Sequence, residues 1–392
     1  MTHRGSLPRD AQGVEYQIPG FAELTPPCVH ACGAHEPVRE WVLALRRDDE
    51  EAIHRAWTAI VAANPLPATM GRICYADCER NCNRDALDGA VSIRELEGRV
   101  GDYALARGWA LPPVPWPAGA RRSARVTVVG SGPCGLSAAS RLARAGHQVV
   151  LWEAYGELGG LLRRSISEER LPRVVLDGEI ARIVALGVDV RSGQSVRHLE
   201  DVLPPADGVI WATGASMCMA LVVGRTLWRQ PVHTKTRPRR TASLSIGRGL
   251  RAAEALDAYL AGAMAPSAGL PPVSDVQHMN TGYFEGHGPV LPSGQAAGGS
   301  AGRRSGDPTT VLAGVCTEAG RCMSCGSCMG CDLCHDVCPF YAINLLDGGG
   351  YEVVAQDCES CGICVDECPT GTLRMPSPDV AVAPWVVPRE LA

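Results

Sequence analysis

Two stretches near the C-terminus repeat one cysteine pattern: Cys328–Pro339 (CMGCDLCHDVCP) and Cys358–Pro369 (CESCGICVDECP). Each has the spacing C-x2-C-x2-C-x3-C-P, which in bacterial ferredoxins binds two 4Fe–4S clusters. Three thiolates on a tight loop bind three corners of a cubane, and the fourth, after a short helix, crosses to the other cluster. The pattern therefore predicts two clusters in a bacterial-type ferredoxin (α+β) domain.

The crossing rule assigns four thiolates to each cluster. The first set is Cys328, Cys331, Cys334 and Cys368, and the second is Cys338, Cys358, Cys361 and Cys364. Structural zinc is the alternative, because paired CxxC motifs also form zinc ribbons. The doubled quartet with its closing Cys-Pro favours iron–sulfur clusters.

The residues around these quartets complete the C-terminal prediction. Ala342–Leu346 and Tyr351–Val354 flank a glycine-rich turn and predict a β-hairpin between the repeats. Upstream, Cys322 and Cys325 continue the two-residue spacing. We interpret them as accessory thiols, since both quartets are complete without them. Alternative or additional cluster ligands are the other interpretation.

Composition limits the class of protein. The chain has 392 residues, 18 cysteines and a net charge of −5. That cysteine content is below the roughly 8–10% of a disulfide scaffold. The N-terminal segment lacks the pattern of a secretory signal, so export is not expected. Both observations favour a cytoplasmic protein whose cysteines bind metal. The longest uncharged stretch, Gly208–Gly224, is too short and polar for a membrane span. The negative charge, despite an arginine-rich run at 225–240, disfavours a nucleic-acid partner.

The chain divides into three blocks. A helical block is predicted at 20–110, since Val38–Leu45 and Ile53–Val61 place apolar residues at helical spacing. A Rossmann-type block is predicted at 124–262 and the ferredoxin domain at 310–380. A proline-rich segment, Leu111–Ser123, separates the first two. Glycine, proline and serine predict a linker at 263–309. The fold class is thus an α/β multidomain protein.

A glycine-rich turn opens the second block. It follows an apolar strand, Arg125–Val129, and precedes a helix, Leu136–Ala145. This context makes the motif G-x-G-x-x-G a dinucleotide-binding signal. Gly130 forms the tight turn, Gly132 lets the backbone approach a pyrophosphate, and Gly135 lets helix and strand pack closely. The bland interpretation is a Rossmann unit that holds no nucleotide.

Further residues extend this candidate site. Ser131 and Pro133 belong to the same loop, and Glu153, at the end of the strand Gln148–Trp152, is placed to bond ribose hydroxyls. The loop alone does not decide between FAD and NAD. Gly159, Gly160 and Leu161, just after Glu153, favour FAD.

Several segments carry a family resemblance. Gly156–Ile180 (GELGGLLRRSISEERLPRVVLDGEI) resembles the flavin-side stretch of glutamate-synthase small-subunit-like oxidoreductases. Asp207–Ala215 resembles that family's strand-end turn, in which Thr213 and Gly214 would close over the dinucleotide. Ile246–Leu260 resembles its last flavin-domain helix. The closest subgroup carries a C-terminal ferredoxin and is typified by the NAD(P)H:acceptor oxidoreductase subunit linked to dissimilatory sulfite reductase; Met279–Phe284 (MNTGYF) is similar to one of its segments.

The resemblance also concerns the N-terminal cysteines, Cys28, Cys32, Cys74, Cys78 and Cys82. In that family the helical domain holds iron–sulfur clusters, one with a carboxylate or amide ligand from a downstream helix, and Glu97 lies at the matching place. The spacing of the last three, i, i+4 and i+8, would present them on one helix face. We expect one 4Fe–4S cluster drawn from the five, with Glu97 as a possible substitute. Zinc and unliganded thiols are the alternatives.

The chain also departs from the family. Members carry a second glycine-rich Rossmann unit for NAD(P)H, but here only 32 residues separate Gly214 from Gly247. The Gly-Asp that precedes the family's last helix is missing as well. We therefore expect the NAD(P)H-binding unit to be deleted, which puts direct use of NAD(P)H in doubt.

Three hypotheses follow. The first is an FAD-dependent iron–sulfur oxidoreductase, or a subunit of one, that passes electrons between FAD and 4Fe–4S clusters and a redox partner protein. Such transfer requires no acid–base or nucleophilic side chain, and none is nominated. The second is a ferredoxin-like multi-cluster electron carrier with a vestigial flavin domain. The third is an internally deleted gene product that folds poorly.

Overall fold

The fold is known from a computed structural model. It describes residues 17–114, 123–202, 206–214, 217–222, 225–229, 241–263, 270–291, 312, 314–347 and 349–387. The multidomain α/β class is confirmed, with a helical part, a Rossmann-like part and a ferredoxin-like part. No helix of the described ranges has the length and apolar character needed to cross a membrane.

The N-terminal part is helical, as its apolar spacing predicts. Its helices are α1 Pro27–Ala31, α2 Val38–Ala44, α3 Glu50–Ala63, α4 Pro67–Ile73, α5 Asp77–Arg80 and α6 Ile93–Ala106, with a 3₁₀ turn at Asn83–Ala86. Asp49 caps α3, because its Oδ1 accepts from the Ala52 N–H at 2.7 Å. Trp41 and Trp57 are fully buried where α2 packs on α3. Burial of these rings provides the core that holds the cysteine-bearing loops.

The middle part is a six-stranded sheet in the order β4-β3-β2-β5-β6-β7. The strands are β2 Arg125–Val129, β3 Gln148–Trp152, β4 Asp189–Arg191, β5 Gly208–Gly214, β6 Met217–Val222 and β7 Arg225–Arg229. The helices are α7 Pro133–Arg144, α8 Leu161–Arg164, α9 Arg173–Val184 and α10 Ala242–Leu260, with a 3₁₀ turn at Leu199–Asp201. Strands β2 and β3 have the predicted bounds. Helix α7 begins three residues early, because proline is favourable in a first helical turn.

The sheet changes direction after β5. Strands β4, β3, β2 and β5 are parallel, whereas β6 pairs antiparallel with β5 and β7 with β6. An antiparallel meander thus follows β5. This is the position at which the resembled family carries its second Rossmann unit, which the sequence predicts to be deleted here. The basic residues Lys235, Arg237, Arg239 and Arg240, and residues 115–122 of the proline-rich segment, lie outside the described residues.

The C-terminal part repeats a loop–helix unit around a hairpin. Its helices are α11 Val315–Gly320, α12 Leu333–Asp336 and α13 Ile363–Asp366. The predicted hairpin forms, with β8 Ile343–Leu346 paired antiparallel to β9 Gly350–Val353, and β11 Trp385–Val386 adds to β9. β10 Leu373–Arg374 pairs with β1 Gly20–Phe21. The two ends of the chain therefore share a small sheet, and Phe21 is buried in the C-terminal core.

Residues 270–291, which lie within the predicted linker at 263–309, contact both terminal parts. These residues, with 3₁₀ turns at Val276–His278 and Thr281–Tyr283, run between the two terminal parts. The Thr25 N–H donates to Pro272 O at 2.8 Å, and the Asn280 N–H donates to Cys368 O at 3.0 Å. Their backbone groups find partners in both parts, which the composition of the segment did not indicate. Residues 264–269 and 292–311 lie outside the described residues.

Candidate functional site

A cavity of about 660 Å³ opens at the carboxyl ends of the parallel strands. This is the edge at which open α/β sheets bind ligands. The volume of the cavity lies in the range of about 300–1,000 Å³ that is typical of cofactor sites. The predicted residues that line it are Gly130, Ser131, Gly132, Pro133, Glu153, Gly160, Leu161, Thr213 and Gly214. Gly135 and Gly159 lie behind this lining, where they shape the loop.

The three glycines of the loop have different surroundings. Gly130 has a φ of +102°, and a Cβ there would lie 2.5 Å from Ala212 O. A Cβ on Gly135 would overlap the Gly130 carbonyl oxygen. A Cβ on Gly132 would meet no protein atom within 4 Å. Gly130 and Gly135 are therefore required by packing, whereas Gly132 leaves open space at the N-terminus of α7, the usual position of a pyrophosphate.

Glu153 is buried and bonds to the loop itself. Its Oε2 accepts from the Ser131 N–H at 2.9 Å and hydroxyl at 2.5 Å, and its Oε1 accepts from the Tyr155 N–H at 3.0 Å. The Ser131 Oγ in turn accepts from the Gly159 N–H at 3.1 Å. Glu153 therefore fixes the glycine loop against the Gly159–Gly160 turn. Its contact with ribose stays a prediction.

Two cysteines meet at the wall of this cavity. Cys134, inside the glycine loop, has its Sγ 2.6 Å from the Sγ of Cys218 on β6. Both are buried. Sequence reasoning missed this pair, because β6 belongs to the meander and its register could not be anticipated.

The helical part contributes one side of the cavity. Ile73, at the end of α4, and Tyr75 both line it. Cys74 lies between them and, with Cys32 and Cys78, forms what we call the inner cysteine site. Burial, followed by the Glu97 carboxylate, raises the pKa of Cys74 to about 12. The chain thus places a candidate cluster ligand between two residues of the cavity wall.

Buried polar side chains adjoin the inner cysteine site. Asn64 Nδ2 donates to Glu97 Oε1 at 2.6 Å. Burial raises the pKa of the nearby Glu36 to about 7, and Glu36 and Glu97 also raise the pKa values of Cys32 and Cys74, respectively. Glu97 is therefore close to the Cys74 thiol, where the family resemblance places a carboxylate ligand; its ligand role stays a prediction.

Cys74, Cys78 and Cys82 do not share one helix face. Helix α4 ends at Ile73, Ala76 has a φ of +54°, and Cys78 lies in the separate short helix α5. Helix α5 ends at Arg80, so Cys82 lies beyond it. Cys82 and Cys28 instead line a second cavity together with Cys322 and Cys325. We call these four residues the shared cysteine site.

The C-terminal cysteines group as the crossing rule requires. Cys328, Cys331, Cys334 and Cys368 line one cavity. Burial, and then the thiolates of Cys338, Cys358 and Cys361, raise the pKa of Cys364 to about 12. Each group therefore takes its fourth thiol from the other repeat. The structure brings both sets together, and their ligand roles stay predictions.

Burial raises the pKa of thiols in both the N-terminal and the C-terminal groups. Together with a smaller contribution from neighbouring thiolates, it raises the pKa of Cys82 and of Cys328 to about 11 each. Closely placed buried thiols can ionise together only around a positive core, so metal binding would release their protons. Within the described ranges no three His, Cys, Asp or Glu side chains form a group for a single metal ion.

Three family models match the chain, one in each part. A model described as dihydropyrimidine dehydrogenase domain II, 4Fe-4S cluster, matches residues 23–109. A model for an NAD(P)-binding Rossmann-like domain matches 128–187, and one for a 4Fe-4S dicluster domain matches 327–372. The chain thus combines two 4Fe–4S domains with a dinucleotide-binding type of fold.

Similar curated proteins agree with this combination. The beta subunit of the NADP(+)-dependent formate dehydrogenase of Moorella thermoacetica is 36% identical over 49% of this chain. The homologues of this chain are oxidoreductase subunits. They include the small chain of the NADPH glutamate synthase of Bacillus subtilis, 31% identical, and the beta subunit of the NADPH-Fe(3+) oxidoreductase of Geobacter sulfurreducens, 32% identical, each over 49% of this chain. The matched region spans 30%, 38% and 29% of these three relatives.

Proposed function

We propose that this chain is an electron-transfer oxidoreductase, or a subunit of one, that moves electrons between FAD and 4Fe–4S clusters. The observation that carries the proposal is the position of Cys74. Its two neighbours, Ile73 and Tyr75, line the cavity that also contains Gly132 and the rest of the glycine loop. A cluster bound through Cys74 would then lie beside a bound dinucleotide, close enough for direct electron transfer.

Two observations support FAD as the dinucleotide. The sheet ends in the β6–β7 meander, and the described residues contain only one glycine-rich βαβ unit. Gly160 and Leu161, the residues that favour FAD in the sequence, line the cavity. When bound, a flavin supplies the exchange between two-electron and one-electron chemistry that clusters need.

The chain's own residues bind and orient the cofactor. Space is open at Gly132, the N-cap of α7, and the N-terminus of this helix would hold the pyrophosphate there. Glu153, through Ser131, keeps the loop in this geometry. Arg164, whose guanidinium lies 3.7 Å from the ring centroid of Tyr155, adds positive charge at the cavity wall.

A redox partner protein completes the proposal. The relatives named above are described as subunits or as a small chain, and their printed names include NADPH and NADP(+) as redox partners. In this chain, whose described residues contain a single glycine-rich unit, the proposed electron donor or acceptor is a protein that docks near a terminal cluster. Direct use of NAD(P)H is the less favoured route.

One observation favours a second function, a multi-cluster electron carrier without flavin. Three hydrogen bonds from the chain already use most of the roughly four acceptor positions of the Glu153 carboxylate, which leaves little capacity for the expected ribose contact. In that case the glycine loop would be a structural remnant, and the cysteine sites would act alone.

The test compares Gly132→Ala with Gly286→Ala in anaerobically purified protein. Neither new methyl group meets a protein atom within 4 Å, so both variants should fold as the wild type does. Gly132→Ala fills the space expected for pyrophosphate and should lower bound FAD by about tenfold or more. Gly286→Ala should retain FAD. If the wild type contains FAD and Gly132→Ala contains the same amount, the proposed FAD site is contradicted. If the wild type contains no FAD, the electron carrier without flavin is favoured.

A further inference from the structure

Two pairs of cysteines from distant parts of the chain line one cavity. Cys28 and Cys82 come from the helical part, and Cys322 and Cys325 come from the segment just before the ferredoxin repeat. The other eleven cysteine ligand candidates, three N-terminal and eight C-terminal, already belong to the inner cysteine site or to one of the two ferredoxin groups. We propose that the shared cysteine site binds a further 4Fe–4S cluster, with two ligands from each part.

The thiols of the site are buried and close to one another. Burial raises the pKa of Cys28, and Cys82, Cys322 and Cys325 each raise it further. Cys325 shows the same proximity, because burial and then the thiolates of Cys322 and Cys82 raise its pKa. A cationic cluster core offsets this mutual repulsion by neutralising four thiolates in one place.

Hydrogen-bond donors are directed at the sulfur atoms. The backbone of Val29 bonds to the Cys28 thiol, and the backbones of Val91 and Arg84 bond to the Cys82 thiol. Burial raises the pKa of the Cys325 thiol, and the side chain of Asn83 lowers it. Such donors stabilise cluster thiolates and set the potential of iron–sulfur centres.

The two cysteine-lined cavities are similar in size. The cavity of the shared cysteine site is about 30 Å³, and the cavity lined by Cys328, Cys331, Cys334 and Cys368 is about 20 Å³. The second lies within the match to the 4Fe-4S dicluster model, whereas Cys322 and Cys325 precede that match.

The segment that carries Cys322 and Cys325 is anchored to the helical part. Arg46 donates to Cys322 O, and Arg39 Nη1 donates to Cys325 O at 2.9 Å. Arg321 has no exposed side-chain surface, and its guanidinium donates to Ala90 O at 3.0 Å and to Asp88 Oδ1 at 2.8 Å. These contacts hold the two pairs at a fixed separation, which a cluster site on two segments requires.

The position of the site connects the other candidate sites. Cys28 raises the pKa of Cys78, which belongs to the inner cysteine site. On the other side, the Gly326 N–H donates to Thr370 O at 2.8 Å, and Thr370 lines the cavity that contains Cys368. A cluster here would lie between the inner site and the ferredoxin part. The inference rests on the chain carrying clusters, as the proposed function does, but not on bound flavin.

The test measures iron, acid-labile sulfide and electron paramagnetic resonance of the anaerobically purified full chain. With a cluster at every cysteine site, we expect about 16 iron atoms per chain, and about 12 in Cys322→Ser/Cys325→Ser. Cys28→Ser/Cys82→Ser, which approaches the cavity from the other domain, should lose the same signal of the reduced protein. The matched control is Cys316→Ser, because Cys316 precedes the same segment and only donates to Arg46 O, at 2.9 Å.

The outcomes separate this inference from the proposed function. Wild-type iron in the Cys322→Ser/Cys325→Ser variant, or one zinc per chain lost from it with iron unchanged, would overturn the inference. If the two double variants removed different signals, the shared site would also be refuted. FAD content reports on the proposed function independently, and the retained C-terminal cluster signals show that each variant has folded.

Discussion

Arg321 provides a quantitative test of how the two terminal parts are joined. The perturbation is Arg321→Met, which keeps the volume of the side chain and removes its charge and donors. The guanidinium is fully buried and donates to Asp88 Oδ1 and Glu318 Oε1, each at 2.8 Å. It also donates to Gly89 O at 2.6 Å, Ala90 O at 3.0 Å and His287 O at 2.9 Å.

The expected free-energy cost of Arg321→Met depends on which hydrogen bonds Glu318 and Asp88 retain. Removing one member of a buried ion pair costs about 3–5 kcal/mol. Glu318 still accepts from the Ser92 and Val290 N–H groups, each at 2.8 Å, and Asp88 still accepts from Arg84 and from His287 N. The lower end of the range, about 3 kcal/mol, is therefore expected, which corresponds to about a 150-fold change in an opening equilibrium.

Hydrogen exchange measures this opening locally, which suits a multidomain chain without a single unfolding transition. The peptides that contain Ser92 and Gly326 report on the two sides of the contact. Their slowest amides should exchange about 100-fold faster or more in Arg321→Met. The control is Arg191→Met, because Arg191 and its partner Asp189 are each half exposed and such pairs contribute at most about 1 kcal/mol. Equal exchange in Arg321→Met and the wild type would refute the reasoning.

Two further predictions concern the Rossmann-like part. Gly135→Ala should unfold the glycine loop and lower the thermal stability of that part, because the new Cβ overlaps Gly130 O; a scan beside Gly132→Ala, which has room for its methyl group, checks this, and equal transitions would contradict it. Glu179 on α9 accepts from the Ala68 and Thr69 N–H groups at 2.7 and 2.9 Å. Burial raises the pKa of Glu179 from 4.5 to about 7. The protonated side chain therefore contributes to the free energy of unfolding in full below pH about 4.5, and this contribution is lost as the pH rises through about 7. Glu179→Gln should remove that loss, so that the variant gains stability relative to the wild type between pH 5 and 7; thermal scans across this range that stay parallel would contradict it.

The local structure of the middle part could be predicted because its signals are local. An apolar run that ends at Val129, a glycine turn and a second apolar run at Gln148–Trp152 specify two buried parallel strands without knowledge of the rest. The same holds for the hairpin between the cysteine repeats, where glycine residues set the turn between β8 and β9. These elements have the bounds, or nearly the bounds, that the sequence predicts.

The grouping of the N-terminal cysteines could not be predicted because it depends on a long-range contact. The spacing of Cys74, Cys78 and Cys82 fits one helix face, but helix α5 ends at Arg80 and Cys82 lies in a different site from the other two. Cys322 lies more than 200 residues from Cys82 in the sequence, so only the fold reveals that they share a cavity. One signal was present: a CxxC pair outside two complete quartets indicates half of a site.

The segment at residues 270–291 and the β6–β7 meander were not predictable for a related reason. Their residues lack a clear period, and their order comes from backbone hydrogen bonds to other parts of the chain. Asn280 illustrates this, since its side chain donates to Glu367 at 2.7 Å beside Cys368. Composition alone describes such a segment as a linker.

The most direct test of the account is an anaerobic reductive titration of the full chain, followed by optical and electron paramagnetic resonance spectroscopy. With one FAD and a cluster at each of the four cysteine sites, the protein should take up about six electrons per chain, two at the flavin and one at each cluster. Flavin bleaching and cluster signals should appear together. Uptake confined to the clusters, with no flavin released on acid extraction, would contradict the claim that electrons pass between FAD and the clusters.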